Sequence, residues 1–112
     1  MSSESIKQIT KLVNDSSTNM IAACAAKHLG EHGITYALAK DAWDAIAKNV
    51  LQMQESHIKY ASIKNVVQEI ARCGYMDEEF WKEIRNIIVK NHREFDGQTI
   101  IDLRNTHVEY FP

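Results

Sequence analysis

Proline is almost missing from this chain of 112 residues: the only one is the last residue, Pro112, and glycine occurs four times. That scarcity argues against a many-turned sheet and for long helices joined by short turns. Two cysteines, Cys24 and Cys73, are too few for a disulfide framework and point to a reducing compartment. No apolar run approaches the roughly 20 residues needed to cross a bilayer, so no membrane insertion is expected. The N-terminal stretch MSSESIKQITKLV lacks the apolar region of a secretory signal, and it has no Arg with which to resemble a transit peptide. The expected location is intracellular, either mitochondrial or cytoplasmic, and not secreted. A formal charge of -2 supplies no global attraction to nucleic acid or to an anionic membrane. Also missing are a Gly-rich phosphate loop, a Walker pattern and G-x-S-x-G, so neither enzyme activity, a small-molecule substrate nor a cofactor is expected.

What is present is ordinary for one globular domain spanning residues 1–112: 45% hydrophobic and 25% charged residues. Ile6, Ile9, Leu12 and Val13 recur at helical spacing, and Asn14–Ser17 then breaks the pattern. Met20, Ile21, Cys24, Ala25 and Leu29 mark a helix of small residues that stops near Gly30 or Gly33. Leu38, Ala42, Ile46 and Val50 place a third helix over roughly residues 36–53. Ile58, Tyr60, Ile63, Val66, Val67 and Ile70 make a fourth, ended by Gly74 in a left-handed cap. Asp77 caps a fifth, with Phe80, Trp81, Ile84, Ile87 and Ile88 on its apolar face. After Asp96–Gly97, a sixth carries Ile100, Ile101, Leu103 and Val108. The expected fold is all-α: about six helices in three antiparallel pairs, forming a short right-handed α-solenoid or a compact helical bundle.

The solenoid expectation rests on a shift of 38 residues, which lays Ala42–Trp43 on Phe80–Trp81, Ile46 on Ile84, Val50–Leu51 on Ile88–Val89 and Ile63 on Ile101. The same shift sets Leu12–Val13 before Val50–Leu51 and Ala25 before Ile63. A fixed period of this size marks stacked helical hairpins, each too small to bury its own apolar face.

The segment from Ile70 to Ile84, Ile70-Ala71-Arg72-Cys73-Gly74-Tyr75-Met76-Asp77-Glu78-Glu79-Phe80-Trp81-Lys82-Glu83-Ile84, resembles a repeat junction of the octotricopeptide and heptatricopeptide families and of FAST-kinase-like proteins. There a helix ends in a small residue, a Cys or Leu, a Gly and an aromatic, an acidic cap opens the next helix, and a Phe, here Phe95, precedes the second helix of the pair. The resemblance spans roughly residues 36–111. It implies an organellar α-solenoid that binds RNA or assembles into an organellar complex. Three units are few for reading RNA, and the RNase-fold-like C-terminal domain of such proteins is missing. A non-enzymatic structural or interaction subunit of a mitochondrial complex is the first expectation, and a small RNA-binding factor is the alternative.

Several residues carry candidate chemistry. His28-Leu29-Gly30-Glu31-His32 matches H-x-x-E-H, but zinc catalysis needs a third protein ligand. The expectation is a polar helix end rather than a metal site. Residues 72–76 lack the oxygen ligands of a calcium loop before Asp77. Cys24 and Cys73 fall on apolar helix faces and read as small buried hydrophobes. For RNA, the candidate stripe is Lys82, Arg85, Lys90, Arg93 and Arg104, extended by Lys48, Lys59 and Lys64, with Tyr60 or Tyr75 to stack on bases. For a protein partner, the aromatic tail Tyr110–Phe111 is the candidate interface. Trp43, Trp81, Phe80 and Phe95 are expected to pack in the core.

Overall fold

Ser2 opens the first helix: its hydroxyl accepts the amide of Ser5 at 3.1 Å, which satisfies one of the donors every helix start leaves over. The helix that follows is one of five in the computed structural model, which describes residues 2–16, 19–52, 60–75 and 77–90 and the single positions 97, 98, 101 and 105. They are α1 (Ser3–Asp15), α2 (Asn19–Glu31), α3 (Lys40–Leu51), α4 (Tyr60–Arg72) and α5 (Glu78–Lys90). No strand occurs among the described residues. The expected sixth helix falls largely outside them, although Gly97, Gln98, Ile101 and Asn105 are helical.

The most extensive packing joins alternate helices, α1 to α3 and α2 to α4, and α5 also packs on α3. Odd-numbered helices therefore lie in one row and even-numbered helices in another, with α2 also touching α3. The central helix, α3, is well enclosed: Ala42, Trp43, Ala45, Ile46, Ala47, Asn49 and Val50 are all buried. Ala22, Ala25 and Ala26 on α2 are buried as well, and side chains this small let neighbouring helix axes approach closely. The radius of gyration, 13.3 Å, matches the roughly 13 Å expected of a single packed body of this length.

Two junctions, α2–α3 and α4–α5, are built alike. Gly33 and Gly74 take left-handed conformations, with φ of 65° and 89°. Each sits two residues past the end of its helix, at the C′ position of a Schellman turn. Ile34 N–H donates to the Leu29 carbonyl at 2.9 Å, and Gly33 N–H to Gly30 at 3.1 Å. Tyr75 N–H donates to Ile70 at 3.4 Å, and Gly74 N–H to Ala71 at 3.2 Å. The next carbonyl in each turn is then taken by a tryptophan from the following helix. Trp43 Nε1 donates to the Ile34 carbonyl and Trp81 Nε1 to the Tyr75 carbonyl, both at 3.1 Å. Asp77 caps α5 as expected, accepting the amides of Glu79 at 2.9 Å and Phe80 at 3.4 Å.

Burial refines the offset between equivalent helices. The shift of 38 holds between α3 and α5, where Ala42/Phe80, Trp43/Trp81 and Ile46/Ile84 are buried pairs. Between α2 and α4 the matching shift is 41, pairing Ala25 with Val66, Ala26 with Val67 and Leu29 with Ile70, all buried. Ala25 therefore corresponds to Val66 and not to Ile63. The difference is absorbed by the link at residues 32–39, which is longer than its counterpart at residues 73–77. Between α1 and α3 the shift is 37, which sets Val13 on Val50 and leaves Leu12 58% exposed. The third helix also starts later than its apolar spacing suggests. Tyr36 N–H donates across the fold to the Cys73 carbonyl at 2.9 Å, which holds residues 35–39 in turns and delays the helix to Lys40.

Trp43→Phe and Trp81→Phe keep the ring in the core but leave a carbonyl without its donor, partly buried at Ile34 and buried at Tyr75. Each is expected to cost about 1–3 kcal/mol, read as a lower urea midpoint at unchanged slope. Glycine substitutions separate the turn from the helix. Gly33→Ala and Gly74→Ala, at positive φ, should each cost about 1–2 kcal/mol. Gly30→Ala should stay within about 1 kcal/mol of wild type, because its added Cβ displaces only the flexible Glu69 carboxylate while helix propensity improves.

Candidate interaction surface

The junction aromatics are taken up in packing. Tyr75 is buried and meets Tyr36 edge-on at 5.1 Å and Phe80 edge-on at 5.2 Å; Phe80 in turn meets Trp81 at 5.0 Å. Edge-to-face contacts of this kind are favourable packing. Tyr75 is therefore a core residue and not a platform for a base. Burial pushes its phenol up to about 12, with the Asp77 carboxylate adding to the shift. The Tyr36 hydroxyl donates to Asp44 Oδ1 at 2.9 Å, and that bond raises its pKa above the ordinary tyrosine value. Cys73 is buried with its thiol donating to the Ile70 carbonyl at 3.0 Å, and desolvation pushes it up to about 11. Cys24, expected on an apolar face, is instead exposed.

Lys82 and Arg85 are exposed on α5, one turn apart, and Lys90 is exposed at the end of the same helix. Glu78, Glu79 and Glu83 are exposed on it too, so carboxylates interleave with the cations. Arg93 and Arg104 lie outside the described residues, as do Lys59, Phe95, Tyr110 and Phe111; the Lys64 and Tyr60 side chains do also. Lys48 stands among carboxylates. It lines an open cleft of about 330 Å³ between α1 and α3, together with Asp41, Asp44, Thr10 and Asn14.

A second open cleft, of about 370 Å³, runs between α2 and α4. Ala23, Cys24 and Lys27 line it from α2; Asn65, Gln68, Glu69 and Arg72 line it from α4. Arg72 Nη1 pairs with Glu69 Oε1 at 3.0 Å, and Glu69 lies over Gly30, where a side chain would block it. Sequence reasoning missed this groove. Its signal was the run Asn65, Gln68, Glu69 and Arg72 at helical spacing, opposite the buried Val66, Val67 and Ile70.

His28 and His32 stand at the C-terminal end of α2, both exposed, with ring centroids 4.3 Å apart and planes tilted by 52°. His32 Nδ1 lies 2.9 Å from the His28 carbonyl oxygen. Among the described residues, no His, Cys, Asp or Glu makes them part of a group of three that could hold a metal ion. A catalytic zinc centre of the H-x-x-E-H type therefore lacks its third ligand among the described residues. No helix of the described residues is long and apolar enough to cross a membrane. No protein-family model, curated protein or solved structure matches the chain.

The two thiols should separate cleanly. A thiol reagent at pH 8 should modify Cys24 fast and Cys73 only on unfolding, counted as one rapid equivalent followed by a second in denaturant. The raised pKa values also set an alkaline limit. Native Cys73 and Tyr75 keep their protons to about 11 and about 12, whereas the ordinary values of a thiol and a phenol are 9.0 and 10.0. The unfolded chain then binds fewer protons in that window. Their contribution to stability is complete below about pH 9 and falls as pH rises toward 12; Cys73→Ala should flatten the first part of the decline in a pH series of urea midpoints.

Proposed function

We propose that the chain is a non-enzymatic helical-repeat module, a short α-solenoid that serves as an interaction or structural subunit of a larger protein complex. The observation that carries this reading is the pair of like-built junctions at Gly33 and Gly74, each with a Schellman turn closed by a tryptophan, joining helices that pack in alternate rows. Stacked units of that kind present extended side faces rather than an enclosed reaction centre. The resemblance of residues 70–84 to octotricopeptide and heptatricopeptide junctions supports the same architecture and favours a mitochondrial assembly.

The described surface supports a protein partner over RNA. Both clefts mix charge signs: Lys48 stands with Asp41 and Asp44, and Lys27 and Arg72 with Glu69. A phosphate backbone is held by cations gathered along one track, usually with exposed aromatic platforms. On α5, Lys82 and Arg85 stand among three glutamates, and Tyr75 is buried. Mixed, partly apolar clefts suit side chains of another protein, whose charges can be matched one by one.

Tagged protein in native extract is expected to elute in a stoichiometric protein assembly whose size nuclease does not change. Purified protein should show no salt-sensitive retention of single-stranded RNA. Retention at low salt that weakens in a Lys82→Ala, Arg85→Ala double variant would overturn this reading in favour of the RNA-binding alternative, with Lys90, Arg93 and Arg104 as its further contacts.

A further inference from the structure

His28 lies in the last turn of α2 and His32 one turn further on, in the turn just past Glu31; neither is buried in the core or lines either cleft. Their arrangement has a chemical consequence. A backbone carbonyl can only accept, so the 2.9 Å contact between His32 Nδ1 and the His28 carbonyl requires Nδ1 to carry the proton. In the neutral ring the other nitrogen, Nε2, then keeps its lone pair. A ring nitrogen protonated toward a backbone carbonyl, with the opposite nitrogen bare, is the arrangement that metal-binding histidines adopt.

The second ring is within reach of the same ion. Zinc–nitrogen bonds are about 2.0–2.1 Å, so two donors on one tetrahedral ion sit roughly 3.4 Å apart. Ring centroids 4.3 Å apart set the two imidazoles side by side, and both rings are exposed, so an ion can enter from solvent. The site also stands at the negative end of a helix, which favours a cation. Glu31 lies between the two histidines in sequence and adds a further exposed carboxylate to that last turn.

We propose that His28 and His32 form a two-point, solvent-open chelating site for a divalent transition-metal ion of the nickel, copper and zinc group. Imidazole suits all three, and affinity should follow their general order, with copper tightest. Two protein ligands leave the remaining coordination positions to water, so the ion exchanges freely and organises no hydrolytic centre. The site is separate from the proposed complex-forming role, and its test is independent of any partner.

The test is titration of the purified full-length chain with Ni(II), and separately with Zn(II), by calorimetry. Amide-resonance broadening by Ni(II) locates the ion. One saturable equivalent is expected, with broadening centred on residues 27–34. His28→Ala and His32→Ala should each weaken binding at least tenfold, since even the loss of a second-shell partner costs about 10–100-fold. Both positions are exposed, and unchanged helix content by circular dichroism confirms that the variants fold. Cys24→Ser and His92→Ala should leave the affinity unchanged. Absence of saturable binding, or an affinity that survives both His28→Ala and His32→Ala, overturns the proposal. So does broadening centred elsewhere, or loss of binding in Cys24→Ser or His92→Ala.

Discussion

A helix that ends inside a protein leaves carbonyls that something must satisfy, and here a tryptophan from the next helix completes the work. The Schellman turns at Gly33 and Gly74 take care of two carbonyls each. The carbonyl that follows, at Ile34 or Tyr75, meets the incoming helix, in a partly buried setting at Ile34 and a buried one at Tyr75. An indole N–H fills this place because it reaches far and brings a large apolar body with it. Trp43 is fully buried and Trp81 nearly so, so the bond fixes where each helix starts and how it leans on the one before.

The two locks are also tied to one another. Tyr36, in the first junction, donates its amide to Cys73 in the second and packs its ring edge-on against Tyr75. From there the contacts run through Phe80 to Trp81. Buried hydrogen bonds gain strength in such apolar surroundings, and the same surroundings make an unmatched group costly. Small side chains on α2 and α3 then allow the rows to close. Interior positions are thereby committed to packing, and the polar side chains are left to the faces of the two clefts.

Much of this was legible in the sequence because helix signals are local. Gly74 and Asp77 read as cap and start within a few residues of each other, and the apolar faces of α3 and α5 follow from spacing alone. The all-α class followed from the near absence of proline and glycine. The candidate surface was harder to read. Lys48 looked like part of a basic stripe until its neighbours Asp41 and Asp44 on α3 came together with it beside α1. Tyr75 looked available for stacking until Tyr36, far away in sequence, was found covering one edge of it. Of the α2–α4 groove only one wall, the polar run on α4, leaves a mark in the sequence, since the two walls lie about forty residues apart.

The offset of 38 shows where the boundary falls. Sequence by itself determined that helices of similar pattern recur, because amphipathic spacing is set by the 3.6-residue turn and needs no partner to be seen. Only the tertiary structure decided that the offset is 38 for one pair of helices, 41 for another and 37 for a third. Those values depend on how much chain each link takes up, and the link at residues 32–39 is long because Tyr36 must reach the Cys73 carbonyl. A backbone bond between distant residues leaves no periodic trace in the sequence. It also chose which side chains were buried, by deciding which faces met.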